Sequence, residues 1–211
     1  MKLLYASRFT LLAFIAAAAL FLWQSSSGVA VRGVQIRRLG WIVENQALWS
    51  LGWWLWMVAI FAWMWLLVTL SWAYLPAHRV QSMLQSGLML ISATLVIAGS
   101  LVWWTTLPVI ALQQTGAMQL AVVDSVALGF VGAGLLMAGI VTTWIGYDLW
   151  RQNHFPAAWV LLQIAAGVQI GASPFLFPAY WHLIGALVCW LLWLGYLALR
   201  PKMPSAFAEW N

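Results

Sequence analysis

The stretch at residues 48–74 reads LWSLGWWLWMVAIFAWMWLLVTLSWAY and decides the fold of the chain. Between Leu51 and Leu70 the only polar side chain, tryptophan apart, is that of Thr69. A helix needs about 20 apolar residues to cross the hydrocarbon core of a bilayer, and this run is long enough. Because lipid offers no partners for backbone N–H and C=O groups, the run must satisfy them internally. The sequence therefore predicts a transmembrane helix here.

Five further apolar runs have the same character. With the first they predict six spans, at residues 9–23, 48–74, 83–104, 119–145, 157–173 and 179–199. No soluble domain remains between them, so residues 1–211 are predicted to form a single integral membrane domain, an all-α polytopic helical bundle. The longest connection precedes residues 48–74. It mixes Arg37, Arg38 and Glu44 with apolar residues, which is typical of a short interfacial helix.

The first apolar run leaves two interpretations open. Lys2 and Arg8 precede it, and a serine-rich segment with Gly28 and Ala30 follows, which is also the layout of a cleavable signal peptide. We favour a retained first helix, because a multi-spanning protein needs no cleaved leader to reach the membrane. If residues 1–30 are a cleaved leader, five spans remain.

The composition supports a bilayer environment. Of the 211 residues, 65% are hydrophobic and 6% are charged. A soluble domain carries about 25% charged residues, so this chain has too little polar surface to cover itself in water. Its 18 tryptophans suit the membrane–water boundary, where the indole ring lies among apolar groups and its N–H finds a polar partner.

Charge and cysteine content argue against two other classes of protein. The net charge is +5, but the Lys and Arg residues are spread thinly, and their longest run is Arg37 and Arg38. A nucleic-acid interface needs a basic patch interleaved with aromatic residues, so we expect no nucleic-acid partner. Cys189 is the single cysteine, so no disulfide can form within the chain, and we expect it to pack as a small apolar residue.

The distribution of basic residues predicts the orientation of the chain, because Lys and Arg favour cytoplasmic loops. With six spans and the N-terminus inside, the inner side holds six basic residues: Lys2, Arg8, Arg79, Arg151, Arg200 and Lys202. The outer side holds three: Arg32, Arg37 and Arg38. We therefore expect both termini in the cytoplasm and the chain in a cell membrane such as the bacterial inner membrane.

Small residues four positions apart let helix backbones approach closely in lipid. Ser125, Gly129 and Ala133 form one such stripe on the fourth span, and Gly167 and Gly171 form a GxxxG pattern on the fifth. We expect these two faces to contact each other or a partner chain. A homodimer through them is a hypothesis that this pattern raises.

Asp124 and His182 are the candidate site for ligand binding or proton handling. A carboxylate within a span is costly and commonly functional. Asp124 lies about five residues, or about 7 Å, from the outer start of its predicted span, and His182 lies at a similar depth on the sixth. The two could pair at the outer mouth of the bundle, or the pair could simply close a polar gap at headgroup level. Gln163 and Gln169 are expected to form hydrogen bonds between helices.

Motifs for the familiar membrane chemistries do not occur in the sequence. It has no HExxH, no histidine cluster of the desaturase kind and no GxSxG, so no catalytic residue and no metal ligand is predicted. Two histidines within spans, suited to ligate a haem from both sides, are also missing, and no span carries a lysine for a retinal Schiff base. The cofactor, if any, stays unassigned.

Three function classes follow from these observations. The first, which we favour, is a non-enzymatic membrane component that binds or regulates a partner, either a second copy or another membrane protein. The second is a small transporter or channel. The third is a membrane enzyme or a pigment- or lipid-binding protein that uses Asp124 and His182. The lipid bilayer is the one partner that all three share.

Overall fold

The computed structural model describes residues 2–26, 35–75, 80–113, 117–177 and 181–200. Helices are the only regular secondary structure in these ranges, which confirms the all-α fold class. There are eight of them: α1 (Lys2–Ser26), α2 (Gln35–Glu44), α3 (Gln46–Tyr74), α4 (Val80–Gln113), α5 (Ala117–Arg151), α6 (Ala157–Gly171), α7 (Ser173–Leu176) and α8 (Trp181–Leu199).

Five of the described helices, α1, α3, α4, α5 and α8, are long and apolar enough to cross a membrane. The chain is therefore a multi-pass membrane protein by the length and composition of its helices. The fifth predicted span, at residues 157–173, is shorter than expected, because α6 has 15 residues. At 1.5 Å per residue it is about 22 Å long, below the thickness of a hydrocarbon core of about 30 Å. Ala172, in the right-handed helical region, joins it directly to α7.

The helices around residue 108 and residue 150 extend beyond the predicted spans. α4 continues through Pro108 to Gln113, where the sequence predicted an end near residue 104. Proline removes one helical hydrogen bond, but Leu107 and Ile110 beside it are buried against other helices, and this packing holds the last turns.

The predicted cleavage segment with Gly28 and Ala30 lies outside the described residues. The same is true of Arg32, His78, Arg79 and Lys202.

Six helices form a closed ring in which each packs against two neighbours, in the order α1, α3, α4, α5, α6, α8 and back to α1. The interior of the ring is a continuous apolar core to which α3 contributes Leu66 and Leu70, α5 contributes Ile145, and α8 contributes Trp193 and Leu197. α1 packs between α3 and α8.

The two aspartates of α5 mark the two ends of the ring. The Asp148 end holds the start of α1 and the end of α8, because Arg8 Nε donates a hydrogen bond to the carbonyl oxygen of Ala198. It also holds the end of α3, since Tyr74 contacts the ring of Phe155 in the loop between α5 and α6. The Asp124 end holds α2, the start of α3 and the end of α4.

Backbone contacts between α5 and α6 depend on glycine. A Cβ atom on Gly139 would collide with the backbone of Gly171 and would lie 2.5 Å from the carbonyl oxygen of Gly167. A Cβ atom on Gly167 would lie 2.7 Å from the backbone nitrogen of Thr143. The Gly167 and Gly171 pattern therefore does pack against α5, as expected, but it packs at Gly139 and Thr143.

Of the two expected alternatives, contact of this pattern with Ser125, Gly129 and Ala133 is not made, and contact of those three residues with a partner chain stays a prediction. All three residues are exposed, and nothing lies within 4 Å of the position that a Cβ on Gly129 would take. The reason is register: antiparallel packing of α5 and α6 places Gly171 opposite Gly139, and α7 follows at the level of Gly132. α6 thus ends before it can reach the small residues nearer the start of α5.

The two glycines of α5 should respond oppositely to a leucine. Gly139→Leu inserts a side chain into a closed backbone contact, so we expect the free energy of unfolding to fall by about 1–3 kcal/mol or more. Gly129→Leu enters open space and replaces a poor helix former, so it should not lower stability. Thermal unfolding of both variants in the same detergent, followed by tryptophan fluorescence, measures the difference. Equal melting temperatures for Gly139→Leu and the unmodified protein would contradict this packing.

Candidate functional site

Asp124 lies near the start of α5, and two side chains from other helices hold its carboxylate. Arg38 Nη1 donates to Oδ2 over 2.7 Å, and Trp103 Nε1 donates to Oδ1 over 2.8 Å. The ion pair is largely shielded, with 4% of the Arg38 side chain and 15% of the Asp124 side chain exposed. We call Arg38, Trp103 and Asp124 the clamp, because they join α2, α4 and α5.

Apolar packing around the clamp explains why α2 lies where Arg38 can reach Asp124. Ile42, on the apolar side of α2, is fully buried in the core of the Asp124 end. The indole rings of Trp53 and Trp103 stack with centroids 5.3 Å apart, which fixes the indole that donates to Asp124. The amphipathic segment predicted from the sequence is thus a helix that closes this end of the ring.

His182 lies elsewhere and has other contacts. Its Nε2 is 3.1 Å from Ser173 Oγ at the start of α7, and its ring faces that of Phe177 at 6.1 Å. The structure does not bring Asp124 and His182 together, so the expectation that they pair is wrong. The physical reason is the order of helices in the ring, where α6 lies between α5 and α8.

The partner of Asp124 carried a signal that the sequence reasoning did not use. Arg38 belongs to the one basic run of the chain, in an amphipathic segment expected at the interface. A carboxylate about one turn below the headgroup level can be neutralised by a cation on a helix that lies in that level. Depth along the spans points to His182 as the partner of Asp124, whereas the structure supplies the partner, Arg38, from a helix outside the predicted spans.

A second carboxylate is held at the opposite end of α5, and the sequence reasoning missed it. Gln81 and Gln85, one turn apart on α4, both donate to Asp148 Oδ2, Gln85 over 2.9 Å. Asp124 and Asp148 are 24 positions apart, which is about 36 Å along a helix. Each end of α5 is therefore fastened to α4 by a polar contact. The spacing of Gln81 and Gln85 on one helix face was the available signal.

Polar side chains inside the ring join neighbouring helices. Gln163 on α6 is fully buried, and its Nε2 donates to the carbonyl oxygen of Thr142 on α5 over 3.1 Å. Trp63 on α3 donates to Thr142 Oγ1 over 3.2 Å. Gln169 reaches the sulfur of Cys189 on α8 at 3.8 Å. The two glutamines thus link helices, as the sequence predicted.

Comparisons with known proteins assign no family to this arrangement: no family model, no curated protein and no solved structure matches the chain. Within the described ranges, no group of three or more His, Cys, Asp or Glu side chains is arranged to hold a metal ion. What the chain does must therefore follow from its own contacts.

The chemistry of the clamp is that of a helix anchor. Each oxygen of the Asp124 carboxylate already accepts a hydrogen bond from a fixed donor, and the charge faces that of Arg38. A proton carrier needs a carboxylate that can change partners, whereas both donors here are set by packing. The contacts favour structural anchoring of α2 over proton handling by Asp124.

The clamp should show strong energetic coupling in a double-mutant cycle. Arg38→Gln or Asp124→Asn alone leaves one shielded charge without its partner, so we expect each to lower the free energy of unfolding by about 3–5 kcal/mol. The double variant should lose clearly less than the sum of the two single losses. Chemical unfolding in a mild detergent measures all four proteins.

A parallel cycle with Asp124→Asn and His182→Gln serves as the control. Because these two side chains have separate partners, their effects should add to within about 0.5 kcal/mol. Strong coupling in this second cycle, or simple additivity of the Arg38 and Asp124 variants, would contradict the contacts described above.

Proposed function

We propose that this protein is a non-enzymatic component of a cell membrane that acts by binding another membrane protein, its own second copy included. The contact is made by the α5 stripe, which consists of Ser125, Gly129 and Ala133. Close packing of helix backbones in lipid uses small residues at this spacing. The partner therefore presents a helix whose backbone can approach α5.

The observation that carries this proposal is the exposure of the stripe on the outside of the ring. A Cβ atom on Gly129 would meet nothing within 4 Å, whereas on Gly99, Gly134 and Gly139 it would meet backbone atoms closer than 3 Å. The other small-residue pattern, Gly167 and Gly171, is already packed in the contact between α5 and α6. The α5 stripe is left without a neighbour in the described part of the chain.

Glycine at an exposed helix position costs stability relative to alanine by about 1 kcal/mol. Where a glycine lines no groove, lipid tails gain little from the missing side chain, since they pack as well against alanine or leucine. A helix partner does gain, because its backbone can approach where the side chain is absent. Gly129, between Ser125 and Ala133, is therefore better accounted for by a protein neighbour than by lipid.

The clamp supports this role from the other side of α5. Asp124 is adjacent to Ser125 in sequence, and its contacts with Arg38 and Trp103 fix the start of α5 to α2 and α4. A binding face on a fixed helix loses little conformational entropy when a partner docks. Asp124, a candidate for ligand binding or proton handling, thus has a structural role in the proposed non-enzymatic protein.

The same proposal includes an orientation, with both termini in the cytoplasm of a cell such as a bacterium. The Asp148 end carries Arg8, Arg151 and Arg200 among the described basic residues. At the Asp124 end, α2 carries Arg37 and Arg38. Among the described residues, basic side chains are thus more numerous at the Asp148 end, which favours the cytoplasmic side for it.

Photo-crosslinking in native membranes tests the proposal. A photoreactive amino acid at position 125 should give a defined crosslink to a second copy or to another membrane protein. The same amino acid at position 83, an exposed site on α4, should not. Gly129→Leu should reduce the crosslink at position 125 about tenfold, which corresponds to about 1.4 kcal/mol of association free energy.

Gly87→Leu is the matched control for that experiment, because a Cβ at Gly87 also meets nothing within 4 Å and α4 carries no stripe there. It should leave the crosslink unchanged. The absence of any protein crosslink at position 125, or equal yields from Gly129→Leu and the unmodified protein, would refute the proposal.

A further inference from the structure

A groove of about 480 Å³ lies on the outside of the ring between α6 and α8, at the Asp148 end. Its walls are apolar: α8 contributes Leu192 and Leu199, which are exposed, and α6 contributes Trp159. Arg200 lines it directly after the last residue of α8. The groove thus combines a long apolar floor with one guanidinium.

Gly195 gives the groove its depth. It lies between Leu192 and Leu199 on the same face of α8, and a Cβ atom there would meet nothing within 4 Å. The rings of Trp159 and Tyr196 stack beside it with centroids 4.7 Å apart. A linear apolar chain can therefore lie along α8 in the space that Gly195 leaves open.

Arg200 brings positive charge to the mouth of the groove. Its guanidinium carbon lies 5.2 Å from the centre of the Tyr196 ring, which holds the side chain over the groove. Its Nη1 is buried and has no hydrogen-bond partner among the described residues. Arg8, bound to the carbonyl oxygen of Ala198, adds a second guanidinium at the same end of α8.

The groove runs along α8 from Leu191 to Arg200, about 14 Å at 1.5 Å per residue, which is about half the thickness of a hydrocarbon core. α8 has 19 residues. At 1.5 Å per residue it spans about 28 Å, close to the thickness of a hydrocarbon core, so Arg200 falls at the level of the phosphates. Trp159 and Tyr196 then lie where aromatic residues collect at the boundary.

We propose that this groove binds one anionic phospholipid. The phosphate is held by Arg200, and one acyl chain lies along α8 in the space at Gly195. Basic residues at the edge of a span recognise anionic headgroups, and a guanidinium binds phosphate oxygens through charge-assisted hydrogen bonds. The site is on the α6–α8 face, separate from the α5 stripe, so it does not depend on the proposed function.

Native mass spectrometry of the full chain in mild detergent tests the proposal, with phosphatidylglycerol or phosphatidylcholine added as the probe. The unmodified protein should retain one phosphatidylglycerol in preference to phosphatidylcholine. Arg200→Gln should lower the retention of phosphatidylglycerol about tenfold and abolish the preference. Gly195→Leu should lower the retention of both lipids, because its side chain fills the groove from a position where a Cβ meets no protein atom within 4 Å.

Two controls match these variants. Arg151→Gln removes an exposed arginine at the same end of the ring, and Gly87→Leu adds a leucine at another open glycine. Neither should change lipid retention. Melting temperatures of all four variants, measured in parallel, separate loss of the lipid from loss of the fold.

Three results would overturn the proposal: equal retention of the two lipids by the unmodified protein, equal effects of Arg200→Gln and Arg151→Gln, or undiminished binding by Gly195→Leu. A fourth is binding that appears only after deletion of residues 201–211. In that case the chain's own C-terminal segment, and not a lipid, occupies the groove.

Discussion

Polar groups of a membrane helix must find their partners inside the protein, and α5 meets this constraint at both of its ends. Asp124 is held by Arg38 and Trp103, and Asp148 is held by glutamines of α4. Because the two carboxylates lie on one helix, these contacts set how far α5 can slide or turn against α4. The interior hydrogen bonds at Thr142 then fix α3 and α6 to the same helix. α5 is therefore the element against which the rest of the ring is positioned.

Glycine packing and polar contacts on α5 depend on each other. A carboxylate at each end brings α4 and α5 into register, and in this register Ser92 Oγ donates to the carbonyl oxygen of Gly134 over 2.8 Å. Gly139 sets the opposite face against Gly171. With one face used by α4 and another by α6, a third face of α5 points out of the ring. The exposure of the α5 stripe is thus a consequence of how the other two faces are fixed.

Hydropathy predicted the spans well because the signal is local: the run at residues 48–74 has no other way to satisfy its backbone in lipid. The amphipathic segment before it was predicted for the same reason. The partner of Asp124 and the register of Gly171 could not be predicted this way, since both depend on which helices are neighbours in the ring. The depth of a residue along a span can be counted from the sequence. Which helices are adjacent depends on packing, which one sequence does not reveal. Pro108 shows the same limit, because the buried contacts of Leu107 and Ile110 hold the helix where local preference would end it.

The ring presents two unlike surfaces on separate helices. The α5 stripe has small side chains and no charge, so it can offer a partner little beyond close approach of backbones and van der Waals contact. The groove at Gly195 has large apolar walls and a guanidinium, which suits a flexible chain with an anionic head. The groove has side-chain walls from two helices that can enclose an acyl chain, whereas the α5 stripe is a face of one helix. The two proposed occupants are therefore different, and the two surfaces are separate because α6 lies between α5 and α8.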